Sequence, residues 1–223
     1  MKLRKPVLKE LKYENLLGHL TESAPPQVRF FHWGFALSLT GIILTGFVLH
    51  KPLPFLAVPY SKVYVFHVSF GWLATAFFVF RLADMLLRGD KTLIMTWQDF
   101  KQLPKIFAYY FYLRPNLPPH GKYNSGQKLI FATWFLLFPF LVFISLSSYW
   151  MGERLDWVIK LIGGLQYLRM IKYISAIYFT ATILLHIYLN LTENLSRLQS
   201  MITGYEHEPP KKKSKSAIKP TRT

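Results

Sequence analysis

Four stretches of this chain carry no charged side chain: residues 30–49, 63–80, 129–152 and 173–192. Each approaches the ~20 apolar residues that cross a hydrocarbon core as a helix. No other feature limits the fold as tightly, because a backbone in lipid must satisfy its own hydrogen bonds and a helix does so within one segment. The sequence predicts an all-α membrane protein, a four-transmembrane-helix bundle. The expected spans cover about 30–50, 62–87, 125–151 and 171–193. A cleaved leader is not expected, since the first apolar run begins only near Phe30 and no small-residue cleavage site accompanies it.

The net charge of +16 raises the question of nucleic acid. The basic residues flank the apolar runs, however, and form no stripe with stacking aromatics, so no nucleic-acid partner is expected. Their placement bears on topology instead. Lys and Arg number 6 in residues 1–29, 8 in 81–128 and 7 from 193 onward, against 2 in 51–62 and 4 in 151–172. The positive-inside rule then places both termini in the cytoplasm. The connections after the first and third spans face outward. The chain contains no cysteine, which excludes disulfides, an iron–sulfur cluster of its own and thioether-linked haem.

Three regions are expected: a cytoplasmic N-terminal segment at 1–29, the membrane domain at 30–193, and a basic, largely disordered cytoplasmic tail at 194–223. "SAPPQ" is read as a helix breaker before the first span, and "HKPLP" as its exit. Arg81, near the inner end of the second span, is expected to snorkel. "TWQDFKQLPKIFAYYFYLRPN" is too charged to cross and suits a short interfacial helix. Pro139 is expected to kink the third span, and "LDWVIKLIGGLQYL" to form a short surface helix. The lysines of the tail suit contact with lipid headgroups.

Of the seven histidines, His32, His67 and His186 lie within spans, whereas His19, His120 and His207 read as solvent-facing. Intramembrane ionisable residues are costly and usually functional. His32 and His186 fall in the inner half of the first and fourth spans, and His67 opens the second at the outer face. A lone membrane histidine often only bonds a neighbouring helix. Two imidazoles converging from separate helices suit the axial positions of a haem iron, which then carries electrons and has no open site. No acidic residue lies mid-span, so an ion transporter is the weakest reading.

The chain resembles the cytochrome b (gamma) subunit of membrane-bound formate dehydrogenase. It is similar more broadly to the di-haem cytochromes b of nickel–iron hydrogenases and thiosulfate reductases. The resemblance covers roughly residues 28–206 and rests on "RFFHWGFALSLTGIILTG", "HVSFGWLATAFFVFR", "GKYNSGQKLIF", "HIYLNL" and "MITG" in order. It implies two haems b in a multi-pass protein of the prokaryotic inner membrane. His32 and His186 would hold the inner haem and His67 the outer one. The partner of His67 should be a histidine 14 residues before His186, a position held here by Lys172. Lysine binds iron only as a neutral amine, a form that burial favours. His50 shares a helix face with His32 and is the rival ligand. In a third reading the outer haem is five-coordinate or absent and Lys172 is an interfacial anchor.

The resemblance also implies a quinone site at the start of the third span, at Asn124, Gly126 and Gln127. Amides donate to a quinone carbonyl without carrying charge, although Asn124 is equally suited to cap the helix. The function so implied is a non-catalytic electron-transfer subunit of an oxidoreductase complex. It would pass electrons from an iron–sulfur subunit, itself fed by a catalytic subunit, to a quinone. Formate is the first expected donor. A hydrogenase or a thiosulfate or polysulfide reductase is the alternative. A membrane anchor that has lost one or both haems, or a free-standing quinol-oxidising cytochrome b, remains as a rival.

Overall fold

The computed structural model describes residues 20–50, 58–121, 123–150, 155–193 and 195–207. The expectations for His19, for the exit "KPLPFLA" and for the lysine-rich end of the tail lie outside these residues. Among the described residues, four helices are long and apolar enough to cross a membrane: α1 (Pro26–His50), α2 (Tyr60–Arg88), α4 (Ser125–Tyr149) and α6 (Leu165–Glu193). Between them lie α3 (Trp97–Tyr110) and α5 (Asp156–Ile162), and α7 (Leu195–Thr203) follows the last span. The chain is therefore a helical, multi-pass integral membrane protein.

The spans begin earlier than their apolar windows. Pro26 opens α1 and does not block it, because the first turn of a helix has no partner for a backbone N–H. α6 starts at Leu165, so Lys172 sits two turns inside the helix and not at its start. Pro139 lies within α4, which runs through it to Tyr149. α2 stops at Gly89, whose φ of +63° lets its own N–H and that of Asp90 return to Leu86 and Met85. Arg81 does not reach out alone, since it bonds Asp84 at 2.9 Å, and Arg88 bonds the same carboxylate at 2.6 Å.

The chain divides into two units. In the first, residues 30–187, all four spans contribute to one buried cluster of Leu39, Ile43, Ala74, Phe138 and Phe179. Large apolar side chains cover the rest of each helix, such as Leu37 at 69 % and Leu136 at 75 % exposure. In water such a surface would aggregate; against lipid tails it is at rest. With no hydrophobic drive between helices in lipid, close packing and polar contacts must join them. A Cβ at Gly34 would lie 2.2 Å from the Phe77 ring, and one at Gly41 2.7 Å from Phe70, so α2 rings lie on the α1 backbone. Trp134 donates to Thr182 at 2.9 Å, and the Thr133 and Tyr178 hydroxyls share a hydrogen bond, joining α4 to α6.

α3 is the amphipathic helix expected from its charges and rings. Thr96 and Asp99 form a capping box at its start, and Asn124 with Gln127 forms another at the start of α4. The two helices join at Asp99, which accepts from Lys128 at 2.9 Å and from Ser125 at 3.0 Å. Ile106 packs so closely on Gly126 that an added Cβ would stand 3.1 Å away. Burial works to raise the Asp99 pKa. The side chain and backbone N–H of Thr96, Lys128 and Ser125 outweigh it and hold the carboxyl well below the usual range. A depressed pKa contributes stability above the unfolded value of about 3.9, lost only as pH falls through the folded value. The link is thus complete at neutral pH. Lys128→Met, which keeps the stem and removes the ammonium, should cost about 1–2 kcal/mol in detergent thermal unfolding. An unchanged midpoint would show that the ion pair contributes nothing.

The second unit holds residues 1–29 and 188–223. Strands β1 (Leu20–Glu22) and β2 (Tyr205–His207) pair antiparallel, with Thr21 opposite Glu206. Ser23 and Ala24 donate backbone N–H groups to the Gly204 carbonyl, and Ser23 Oγ donates to Glu206 at 2.7 Å. Arg29 Nη1 donates to the Ile202 carbonyl at 2.9 Å. Gly204, at φ +95°, makes the turn out of α7. Within the tail expected to be largely disordered, residues 195–207 form α7 and β2, and β1 lies within the N-terminal segment 1–29.

Candidate functional site

α1 and α6 bring His32 and His186 together. Their ring centres lie 6.3 Å apart, with the planes inclined at 46°. Both side chains are half-buried. His32 Nδ1 is buried and has no hydrogen-bond partner among the described residues. An unbonded buried nitrogen costs about 1–3 kcal/mol, a cost that a metal bond removes. A metal bound at roughly 2 Å on each side holds two imidazole centres about 6 Å apart. The spacing therefore fits two imidazoles that would share one metal ion. Trp33 meets the His32 ring edge-on at 5.2 Å, and Phe131 of α4 meets the His186 ring at 6.3 Å.

Phe131 links this pair to the start of α4, because Tyr123 packs on its other side at 5.4 Å. The residues expected at a quinone stand in that neighbourhood. Asn124 is buried, accepts from the Gln127 backbone at 2.9 Å and donates to Tyr110 Oη at 3.3 Å. Its amide thus does the work of a helix cap. Gln127 Oε1 accepts from the Asn124 backbone at 3.1 Å, and Gly126 admits Ile106. Each of the three residues has a structural task at the α3–α4 junction, beside any contact with a ligand.

At the other end of the same helices, His67 of α2 faces α1. Its Nδ1 lies 3.0 Å from Thr45 Oγ1, and Gly46 permits the approach, since a Cβ there would stand 3.3 Å from the ring. Lys172 is half-buried and donates to Ser148 of α4 at 3.1 Å. His50 is exposed and stacked on Tyr173, with ring centres 4.3 Å apart. The two rival ligands therefore stand in different settings, one inside the bundle and one at its margin. His120 is exposed, as expected, and bonds the adjacent Gly121 carbonyl.

Sequence reasoning missed Thr45, Ser148, Phe131 and Tyr123. No residue type marks them, since Ser and Thr recur through these spans and commonly bond their own helix, as Ser38 does to Gly34 and Thr75 to Gly71.

The profile of one protein family, described as prokaryotic cytochrome b561, matches residues 24–204. That span holds all four long helices and every histidine just described within them. The match supports the wider cytochrome b group and does not single out a formate dehydrogenase subunit. No curated protein matches the chain.

Proposed function

Because the chain belongs to the prokaryotic cytochrome b561 family, whose members are helical membrane bundles with haem b, we propose that it is the membrane subunit joining a redox partner to a quinone. The approach of His32 and His186 to 6.3 Å, with His32 Nδ1 buried and without a hydrogen-bond partner among the described residues, carries this reading. Haem b supplies reversible one-electron transfer. His32 of α1 and His186 of α6 would hold the inner group. His67 holds the outer group. The setting of Lys172 inside the bundle, against the exposed stacking of His50, favours Lys172 as its companion.

Four spans and the excess of basic residues before α1, around α3 and after α6 support a topology with both termini in the cytoplasm. The histidine pair then lies toward the cytoplasmic leaflet, and His67 toward the outer face. The start of α4 stands beside the inner pair through Phe131, which suits a quinone drawing protons from the cytoplasm. Asn124, Gly126 and Gln127 at that end are the residues this reading assigns to such a ring. An iron–sulfur subunit and its catalytic partner belong on the outer side. Formate is the first donor class on the strength of "GKYNSGQKLIF", with hydrogen or a sulfur compound as the second.

A pyridine haemochrome assay on the purified chain tests the reading. Two haems b per chain are expected. One would confine the reading to the inner pair, and none would replace it with a membrane anchor without electron transfer.

A further inference from the structure

The Thr45 hydroxyl carries one hydrogen and has three neighbours that compete for it. The nearest is the Gly41 carbonyl at 2.6 Å, which only accepts, so the hydrogen points there. Across from it stands His67 Nδ1 at 3.0 Å. With its hydrogen committed, the hydroxyl meets the ring as an acceptor, and His67 must be the donor. The Ile42 carbonyl, 3.1 Å from the same hydroxyl, can likewise only accept and keeps the hydrogen on the helix side. The neutral imidazole then carries its proton on Nδ1 and its lone pair on Nε2.

We infer that Thr45 is a positioning residue for His67, selecting the tautomer and turning Nε2 away from α1 as a ready ligand. The inference rests on the reading of His67 as the outer haem ligand and adds what sets it. The bond has a second effect. Donation from Nδ1 to an acceptor makes the imidazole a stronger electron donor through Nε2. That favours the oxidised iron and lowers the outer potential. Gly46, one residue on, lets the ring approach closely enough for the bond to form.

The test compares Thr45→Val, Thr45→Ser and His67→Ala in the full chain, reading haem content, the outer midpoint potential and the low-spin electron paramagnetic resonance signal. Valine keeps the shape and deletes the acceptor. It should raise the outer midpoint potential and shift or broaden its signal, with the inner haem unchanged. Serine should restore wild-type behaviour. Loss of the outer haem in Thr45→Val, with the inner one retained and serine rescuing, supports the same assignment. An unchanged potential and spectrum in Thr45→Val overturn it. Retention of both haems in His67→Ala overturns the underlying ligand reading instead, so the two failures are told apart.

Discussion

Replacing His186 with alanine is expected to halve the haem content of the purified chain, from two to one, and to abolish quinone reduction. His186 and His32 are the two rings that α6 and α1 bring to 6.3 Å. Without one of them an iron there would lose one of its two imidazoles, and His32 would keep a buried Nδ1 with no hydrogen-bond partner among the described residues. Loss of a supporting residue around a metal ligand typically costs about 10- to 100-fold, so loss of the ligand itself should exceed about 100-fold in turnover. His32→Ala should reproduce the same loss. Optical redox titration separates the outcomes, because the outer component should remain. Full haem content in His186→Ala would withdraw the assignment of both rings.

The reason His186 was legible from sequence is the same reason its loss should be severe. A histidine in a window free of charge is rare enough to demand a task. The four spans were legible on similar grounds, since charge-free runs near ~20 residues seldom do anything but cross lipid. Their ends were less so. α6 begins before Lys172 and Arg169, at Leu165, because long basic side chains can leave a helix sideways while its backbone goes on. Pro26 looked like a stop and is a start. The β1–β2 pair left no trace at all: three residues on each side, joined across almost the entire chain, have no period to detect. Thr45 hid for another reason. Its bond to the helix carbonyl is the ordinary habit of a membrane threonine, and only the His67 ring packed against it sets it apart from Thr75.

Replacing Lys172 with histidine should change the outer haem most visibly of any single substitution that adds function. α6 carries Lys172 14 residues before His186, almost four full turns, so the two side chains leave the helix on nearly the same face. His186 uses that face to meet His32. Lys172 uses it to enter the bundle, where it donates to Ser148. A histidine there would present an imidazole toward the same interior. If lysine is the present ligand, the outer spectrum should move to that of a bis-imidazole iron, with haem content unchanged. If the outer group is held by His67 alone, the same substitution should convert a weak or high-spin component into a low-spin one. Lys172→Ala gives the complement, with the outer low-spin component lost and the inner one kept. His50→Ala, acting on a ring exposed and stacked on Tyr173, should leave both components in place. Unaltered spectra in both Lys172 variants would remove that residue from the iron. Loss of the outer component in His50→Ala would transfer the role to the far end of α1, where the stacking on Tyr173 would then have to give way.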